Sequence, residues 1–270
     1  MINVGIIGYG NMGQAIGERI KDNYAVCVFD KIKSIISENI TVLNNSTELV
    51  KRSQIIILAV KPQDLDSLLN EIKSCTKERL IISIAAGVTT EFIRSQLPET
   101  TRLIRVMPNL PAQVGQGASV LFKDKFATEG DLDLTQKLLS YVGRVLVVNE
   151  EKIINAATAI SGSGPAFFCQ YITDKVNASK KRNEFIEILV TSAVKINLNQ
   201  QFARILSEAT VDGTMAMLKE KNLTCAELIK MVASKGGTTE AGLVVLQNGG
   251  SIAQAVKAAW LRAEELGQKT

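Results

Sequence analysis

The stretch Gly8-Tyr9-Gly10-Asn11-Met12-Gly13 has the residue types and spacing to hold an anionic ligand on main-chain groups. Gly8 permits a tight turn, Gly10 has no Cβ to block a close approach, and Gly13 lets a new helix pack against the preceding strand. The free N–H groups and positive dipole end of that helix suit two phosphates, so the turn reads as a dinucleotide site. Asp30 follows at the end of the next apolar run, about 20 residues past the turn, where a carboxylate takes ribose hydroxyls. A second stretch, Ala233-Ser234-Lys235-Gly236-Gly237-Thr238-Thr239-Glu240, ends one helix and opens another. Its two glycines free the backbone to bend, and the N–H groups near Thr238 and Thr239 then face outward in a way that suits a carboxylate. Ser234 and Thr239 add hydroxyl hydrogen bonds. A plain helix–helix turn with Thr as N-cap accounts for the same residues.

The chain has no histidine. That excludes Ser-His-Asp and Cys-His hydrolytic machinery, His-ligated zinc, and the His acid/base of many hydroxy-acid dehydrogenases. No metal site is expected. The four cysteines, Cys27, Cys75, Cys169 and Cys225, are far apart, form no Cys-x-x-Cys, and read as reduced buried thiols.

Elements that could position these groups are legible. From residue 1 to about residue 150, apolar runs alternate with amphipathic stretches. Strands are predicted at Ile2–Ile7, Ala25–Phe29, Thr41–Leu43, Ile55–Val60, Leu80–Ile84, Arg102–Val106, Ser119–Phe122 and Val145–Val148. Helices fall between them, for example at Pro62–Lys73 and Thr90–Leu97. This alternation predicts a parallel, Rossmann-like doubly wound sheet, with ligands at the carboxyl ends of its strands. From Ile153 the pattern is helical throughout, with helices predicted at Ala166–Val176, Phe185–Ile196, Gln201–Lys219, Thr224–Val232, Thr239–Leu246 and Ile252–Leu266. Ser161-Gly162-Ser163-Gly164-Pro165 reads as a loop whose proline opens a helix, and Thr224-Cys225-Ala226-Glu227 as a capping box. The fold class is therefore α/β, with a dinucleotide-binding domain over 1–152 and an all-helical domain over 153–270. Small helical domains often complete their core against a second copy, so a homodimer or higher homo-oligomer is expected.

At 270 residues, 46% hydrophobic and 21% charged, the chain has an ordinary globular composition. Net charge is +4 and the lysines are scattered, so nucleic acid is not an expected partner. The longest apolar run, Ile55–Val60, is far too short to span a bilayer, and no basic segment precedes the first apolar run; a cytoplasmic location is expected.

Taken together, the stretches GIIGYGNMGQAI, LAVKPQ, SIAAGV, RVMPNLPAQVGQG, AISGSGPAF and ASKGGTTEAGLVVLQNGG resemble the pyrroline-5-carboxylate reductase family. They run from the first residues almost to the last, and SGSGPAF followed by a GGTT turn is the more specific pairing. Lys235 stands where the family usually has proline, and Leu110 where it usually has threonine. About 14 further residues, including Asn177–Glu184, follow the GPAF helix start; that is close to four helical turns at ~3.6 residues each, so a longer helix or a loop fits equally.

The resemblance implies reduction of a five-membered cyclic imine carrying one carboxylate to proline with NAD(P)H. It implies a carboxylate held at Ser234, Gly237, Thr238 and Thr239, with the Thr239 hydroxyl beside the ring nitrogen as the most chemical group. It further implies pyrophosphate contacts from Gly8, Gly10, Asn11, Met12 and Gly13, and a nicotinamide ribose flanked by Ala59, Lys61 and Pro62. Lys61 also reads as a surface lysine before a helix. Asp30 leans the cofactor toward NADH; Lys31 and Lys33 offset its repulsion of a 2′-phosphate, and Asp30 also reads as an exposed helix N-cap. Two other readings remain. One is a related dehydrogenase or imine reductase with a helix-borne lysine acid, for which Lys175 or Lys195 would have to serve. The other is a non-catalytic nucleotide-binding relative.

Overall fold

The computed structural model describes residues 1–31 and 37–268; Lys33 lies outside the described residues. Strands β1 (Asn3–Ile7), β2 (Ala25–Phe29), β3 (Ile40–Val42), β4 (Ile55–Leu58), β5 (Leu80–Ser83), β6 (Arg102–Met107), β7 (Gly117–Lys123) and β8 (Gly143–Val148) form one sheet in the order β3-β2-β1-β4-β5-β6-β7-β8. The central runs IIIL and LIIS are buried at every position. Such uninterrupted apolar strands form because helices cover both faces of the sheet. On one face lie α1 (Asn11–Ile20) and α5 (Glu129–Ser140), packing Ile16, Ile20, Leu132 and Leu138 against Val4, Ile6, Ile55 and Ile57. On the other lie α2 (Ser46–Arg52), α3 (Pro62–Ile72) and α4 (Thr90–Gln96), packing Leu49, Leu65, Leu69 and Ile93 against Ile7, Ile56, Leu58 and Ile81.

The sheet is not wholly parallel. β7 runs antiparallel to β6, while β8 is parallel to β7. The reason is local. Between β6 and β7 the chain makes only a 3₁₀ turn, Leu110–Val114, closed by Gly115 at φ +71°. A parallel return needs a crossover of a dozen or more residues, which α5 supplies between β7 and β8.

After β8 the chain is helical among the described residues: α6 (Ile153–Ala157), α7 (Gly164–Ile172), α8 (Ala178–Lys195), α9 (Gln200–Glu220), α10 (Cys225–Val232), α11 (Thr238–Gln247) and α12 (Ile252–Gln268). The expected Ser161–Pro165 loop is instead a π turn over Thr158–Gly162, followed directly by α7 with Pro165 in its first turn. α7 stops at Ile172, short of the expected Val176, because Thr173 takes a left-handed conformation at φ 57°. α8 begins earlier than expected, so Ala178–Glu184 is its first part; Arg182 donates to both carboxylate oxygens of Asp212 of α9 through Nε and Nη2. The predicted capping box is present on α10: Thr224 accepts from Glu227 N while Glu227 accepts from Thr224 N.

The helices close their own core around Phe167, Phe168, Phe185, Leu189, Leu206 and Val211. The same cluster takes in Leu110, Ala118, Val120 and Val148 from the sheet half, so the helices pack directly on β7 and the turn before it. All four cysteines are free. No helix among the described residues is long and apolar enough to cross a membrane.

Candidate functional site

The glycine turn sits at the carboxyl end of β1, where β1 borders β4. Gly8 has φ +93°, and a Cβ there would lie 2.7 Å from the Ala59 carbonyl carbon and oxygen. Only glycine lets the two strand ends meet so closely. A Cβ on Gly13 would lie 2.1 Å from the Gly8 carbonyl oxygen, so α1 starts directly on the turn. Gly10 differs: a Cβ there meets nothing within 4 Å, and the open space belongs to the cleft itself. Gly10 is also the N-cap of α1 and offers no capping side chain, so the N–H groups of Asn11, Met12 and Gly13 have no helical acceptor. An open cradle ringed by free N–H groups fits a pyrophosphate.

The cleft has a volume of about 350 Å³ and is lined by Gly8, Gly10, Phe29, Asp30, Lys31, Ala59, Val60, Lys61, Gln63, Asp64 and Glu71 among others. Asp30 is half-buried, and its carboxylate accepts a hydrogen bond from the Tyr9 backbone N–H, which ties the end of β2 to the glycine turn. Lys61 is exposed and precedes Pro62, which opens α3. Gln63, Asp64 and Glu71 were not anticipated; their one cue is that they follow Pro62 on the helix bordering the cleft. Beneath the turn, the buried Tyr9 hydroxyl donates to Glu18, and Lys21 pairs with the same carboxylate. Burial opposes ionisation of Glu18, but hydrogen bonds from Lys21 and Ser37 outweigh it and hold its pKa below the usual carboxylate range.

The Gly236–Thr239 turn lies in the helical half, between α10 and α11. Gly236 has φ +71°; its N–H donates to Glu240 Oε2 at 2.7 Å and its carbonyl accepts from Arg262 Nε at 2.8 Å. These two bonds hold the turn beside the exposed Lys235. A Cβ on Gly237 would fall 2.4 Å from Ser234 Oγ, so the serine hydroxyl lies directly over Gly237. The N-cap of α11 is Gly237, not a threonine, and no side chain caps the helix. Reading a threonine as N-cap is thereby corrected: the N–H groups of Thr238 and Thr239 are left without helical acceptors, and both hydroxyls turn inward.

They turn to Ser163. Thr239 Oγ1 donates to Ser163 Oγ at 3.1 Å, and Ser163 Oγ is hydrogen-bonded to Thr238 Oγ1 at 3.0 Å, where either hydroxyl can donate. Thr239 is 4% exposed and Ser163 fully buried. Ser163 was not among the anticipated site residues. The SGSGP stretch marked the segment, but a π turn, which decides where its side chains point, leaves no periodic signature. One contact links this hydroxyl cluster to the sheet and another seats α11 on α7. A Cβ on Gly162 would lie 2.8 Å from Met107 Cε at the carboxyl end of β6, and a Cβ on Gly242 would lie 2.2 Å from Phe167 Cζ, so α11 seats tightly on α7. Asn109, just past β6, is buried; its Oδ1 accepts from Ala118 N while its Nδ2 has no partner.

Lys195 is exposed at the end of α8, away from these groups; nothing is described of the Lys175 side chain.

Residues 182–266 match the family model described as pyrroline-5-carboxylate reductase dimerisation, and residues 3–87 the model described as NADP oxidoreductase coenzyme F420-dependent. Among curated relatives, the pyrroline-5-carboxylate reductase of Methanosarcina acetivorans is 35% identical, with 98% of each chain covered. That of Mycobacterium leprae is 31% identical over 98% of this chain and 97% of the relative. A crystal structure of the Plasmodium falciparum pyrroline carboxylate reductase with NADP bound superimposes with a TM-score of 0.65 at 27% identity, covering 99% of this chain and all of that one. Full-length similarity at this level, together with the match of the helical half to the dimerisation model, places the chain in the pyrroline-5-carboxylate reductase family.

Proposed function

We infer that this chain reduces 1-pyrroline-5-carboxylate to L-proline, the last step of proline biosynthesis, and is an NAD(P)H-dependent oxidoreductase acting on a cyclic C=N bond. The observation that carries the reading at the level of the site is the meeting of Thr238 and Thr239 with Ser163 beneath the uncapped start of α11. That meeting joins a carboxylate-ready helix end to the sheet edge on which the nucleotide cleft opens.

In this reading Gly8, Gly10, Asn11, Met12 and Gly13 hold the pyrophosphate, and Ala59, Lys61 and Pro62 flank the nicotinamide ribose. Bound there, the reduced nicotinamide supplies a hydride. Ser234, Gly237, Thr238 and Thr239 hold the substrate carboxylate, which turns the ring so that its nitrogen faces the Thr239 hydroxyl. Threonine is a weak acid, so its contribution is orientation and proton passage rather than strong acid catalysis. Positioning two bound reactants accounts for much of such an acceleration, and a chain without histidine needs no more. The boundary between the nucleotide half, 1–152, and the substrate half, 153–270, falls between β8 and α6. The helical half also carries homo-oligomerisation, as a dimer or more, in keeping with the dimerisation match. The location is cytoplasmic.

NADH is the favoured reductant. Asp30, Asp64 and Glu71 all line the cleft, and carboxylates there repel a 2′-phosphate. Asp30→Asn keeps an acceptor for the Tyr9 N–H while removing the charge, and it lowers the KM for NADPH relative to NADH. An unchanged ratio of the two KM values contradicts the assignment.

The test of the function is spectrophotometric. Reduced-nicotinamide absorbance falls when 1-pyrroline-5-carboxylate is added, faster with NADH than with NADPH. Tight dinucleotide binding with no oxidation of either cofactor would favour a non-catalytic relative instead.

A further inference from the structure

The fully buried Ser163 hydroxyl bonds to the two threonines that open α11. Its neighbour Ser161 behaves as helical serines do, donating to the Ala157 carbonyl four residues back at 3.0 Å. Ser163 does not. Its backbone N–H reaches back five residues to the Thr158 carbonyl, the signature of the π turn. The extra residue of that turn swings the side chain off the helical ladder and toward α11. There Ser163 Oγ sits between Thr239 Oγ1 at 3.1 Å and Thr238 Oγ1 at 3.0 Å, with no bond to the backbone. The three hydroxyls form a line from the buried Thr239 through the fully buried Ser163 to the half-buried Thr238.

We propose that Ser163 is a positioning residue for the reduction, the middle of a three-hydroxyl relay that carries a proton from the mouth of the site at Thr238 to the ring nitrogen at Thr239. The proposal rests on the placement of the ring nitrogen beside Thr239 given above. When the ring carbon of a neutral imine accepts a hydride, the C=N π electrons pass to nitrogen. Nitrogen takes the Thr239 hydroxyl proton, Thr239 takes that of Ser163, Ser163 takes that of Thr238, and Thr238 takes one from water. The products are a secondary amine, the oxidised nucleotide and a hydroxide ion left in the solvent. In the free protein Thr239 donates to Ser163; a nitrogen lone pair facing Thr239 reverses the hydroxyl rotors, which needs no movement of heavy atoms. When the substrate arrives already protonated as an iminium, no relay is needed.

Fixed charges near the line do not mimic this behaviour. On α11 Glu240 is bound to the Gly236 N–H. On α12 Arg262 is bound to the Gly236 carbonyl and Glu265, and Glu264 to Asn155. On α9 Arg204, Glu208 and Asp212 form ion pairs with one another or with α8. On α7 the Cys169 thiol is buried, and Lys235 is exposed in the turn. Burial and the neighbouring Cys225 push the Cys169 thiol well above the ordinary range, so it stays protonated wherever the substrate itself titrates.

The relay makes the penalty of losing Ser163 depend on pH. Ser163→Ala and wild type are compared by kcat/KM from acid to alkaline pH across the iminium–imine titration of 1-pyrroline-5-carboxylate, with dinucleotide affinity measured in parallel. The expected result is near-equal kcat/KM at low pH, a deficit growing to about tenfold or more at high pH, roughly 1.4 kcal/mol, and unchanged dinucleotide affinity. Thr238→Val, which keeps the side-chain shape, lowers kcat/KM at every pH through weaker carboxylate binding and adds a deficit that grows with pH; that growth is the readout if Ser163→Ala does not fold. A deficit constant with pH, or none at all, overturns the relay. Thr239→Ala separates the two levels. If it turns over like wild type, the site assignment itself fails; if it is impaired while Ser163→Ala is not, only the relay fails.

Discussion

Gly10 is where the cleft can be altered without touching the fold. It lies in extended backbone at φ −76° and ψ −162°, a region any residue adopts, and a Cβ there meets no protein atom within 4 Å. Gly10→Ala therefore leaves the melting temperature unchanged. It weakens dinucleotide binding by about tenfold or more, about 1.4 kcal/mol, measured by titration of intrinsic or nicotinamide fluorescence. Equal affinity would mean that the phosphates do not pass over Gly10. The roles of Gly8 and Gly13 were legible from spacing because their constraint is steric and local: each must let backbone approach backbone. Ser163 and Asn109 were not legible. Both lie in segments that read as turns, and what matters is which way a buried polar atom points. A π turn decides that for Ser163, and a 3₁₀ turn beside Pro111 for Asn109.

At the scale of elements, the seat of α11 on α7 sets the site. Gly242 lies so close to the Phe167 ring that a methyl group would overlap Cζ at 2.2 Å. Gly242→Ala overpacks that contact and costs about 1–3 kcal/mol of stability. It also lifts α11, so turnover falls further than dinucleotide affinity does. Thermal melts and steady-state kinetics on the same sample check both parts, and turnover unchanged beside a lowered melting temperature would detach the α11 seat from catalysis. Most elements could be read from apolar periodicity. The second strand, Ala25–Phe29, matches residue for residue, and the α10 capping box was visible as Thr224 and Glu227. The misreadings share a cause. Strand direction at β7 depends on the length of the connection in space, and the end of α7 depends on Thr173 accepting a left-handed conformation that its own side chain disfavours. Neither leaves a trace in the alternation of apolar and polar residues.

For the whole molecule, the two halves are tied by a buried polar network as well as by a shared apolar core. Arg105 on β6 is 2% exposed; it donates to Glu151 Oε1 at 2.9 Å and Asn155 Oδ1 at 3.3 Å. Glu151 also accepts from the Thr90 N–H and hydroxyl at the start of α4, and Asn155 donates to Glu264 of α12. Burial lowers the pKa of the Arg105 guanidinium, and Glu151 supports its charged form. The network thus fixes the last helix and the first helix of the substrate half against the nucleotide half. Arg105→Met leaves the half-buried Glu151 without its cation and the Asn155 Oδ1 without its donor, and costs about 1–3 kcal/mol. The melting temperature falls and the KM for the substrate rises, while dinucleotide affinity holds because the glycine turn lies on β1, separated from β6 by β4 and β5. Loss of dinucleotide affinity equal to the loss of substrate affinity would show that the network supports the whole fold rather than the alignment of its halves.

All of these expectations depend on one spatial relation: the reduced ring of the nucleotide and the start of α11 must face each other across the carboxyl ends of the strands. A crystal structure of the protein with oxidised dinucleotide and proline measures it directly. The account predicts the pyrophosphate over Gly8–Gly13, the proline carboxylate about 3 Å from the Thr238 and Thr239 N–H groups, and the proline nitrogen against Thr239 Oγ1. Proline bound away from α11, or a nicotinamide ring pointing out of the cleft with Thr239 beyond reach of the ring, would contradict it.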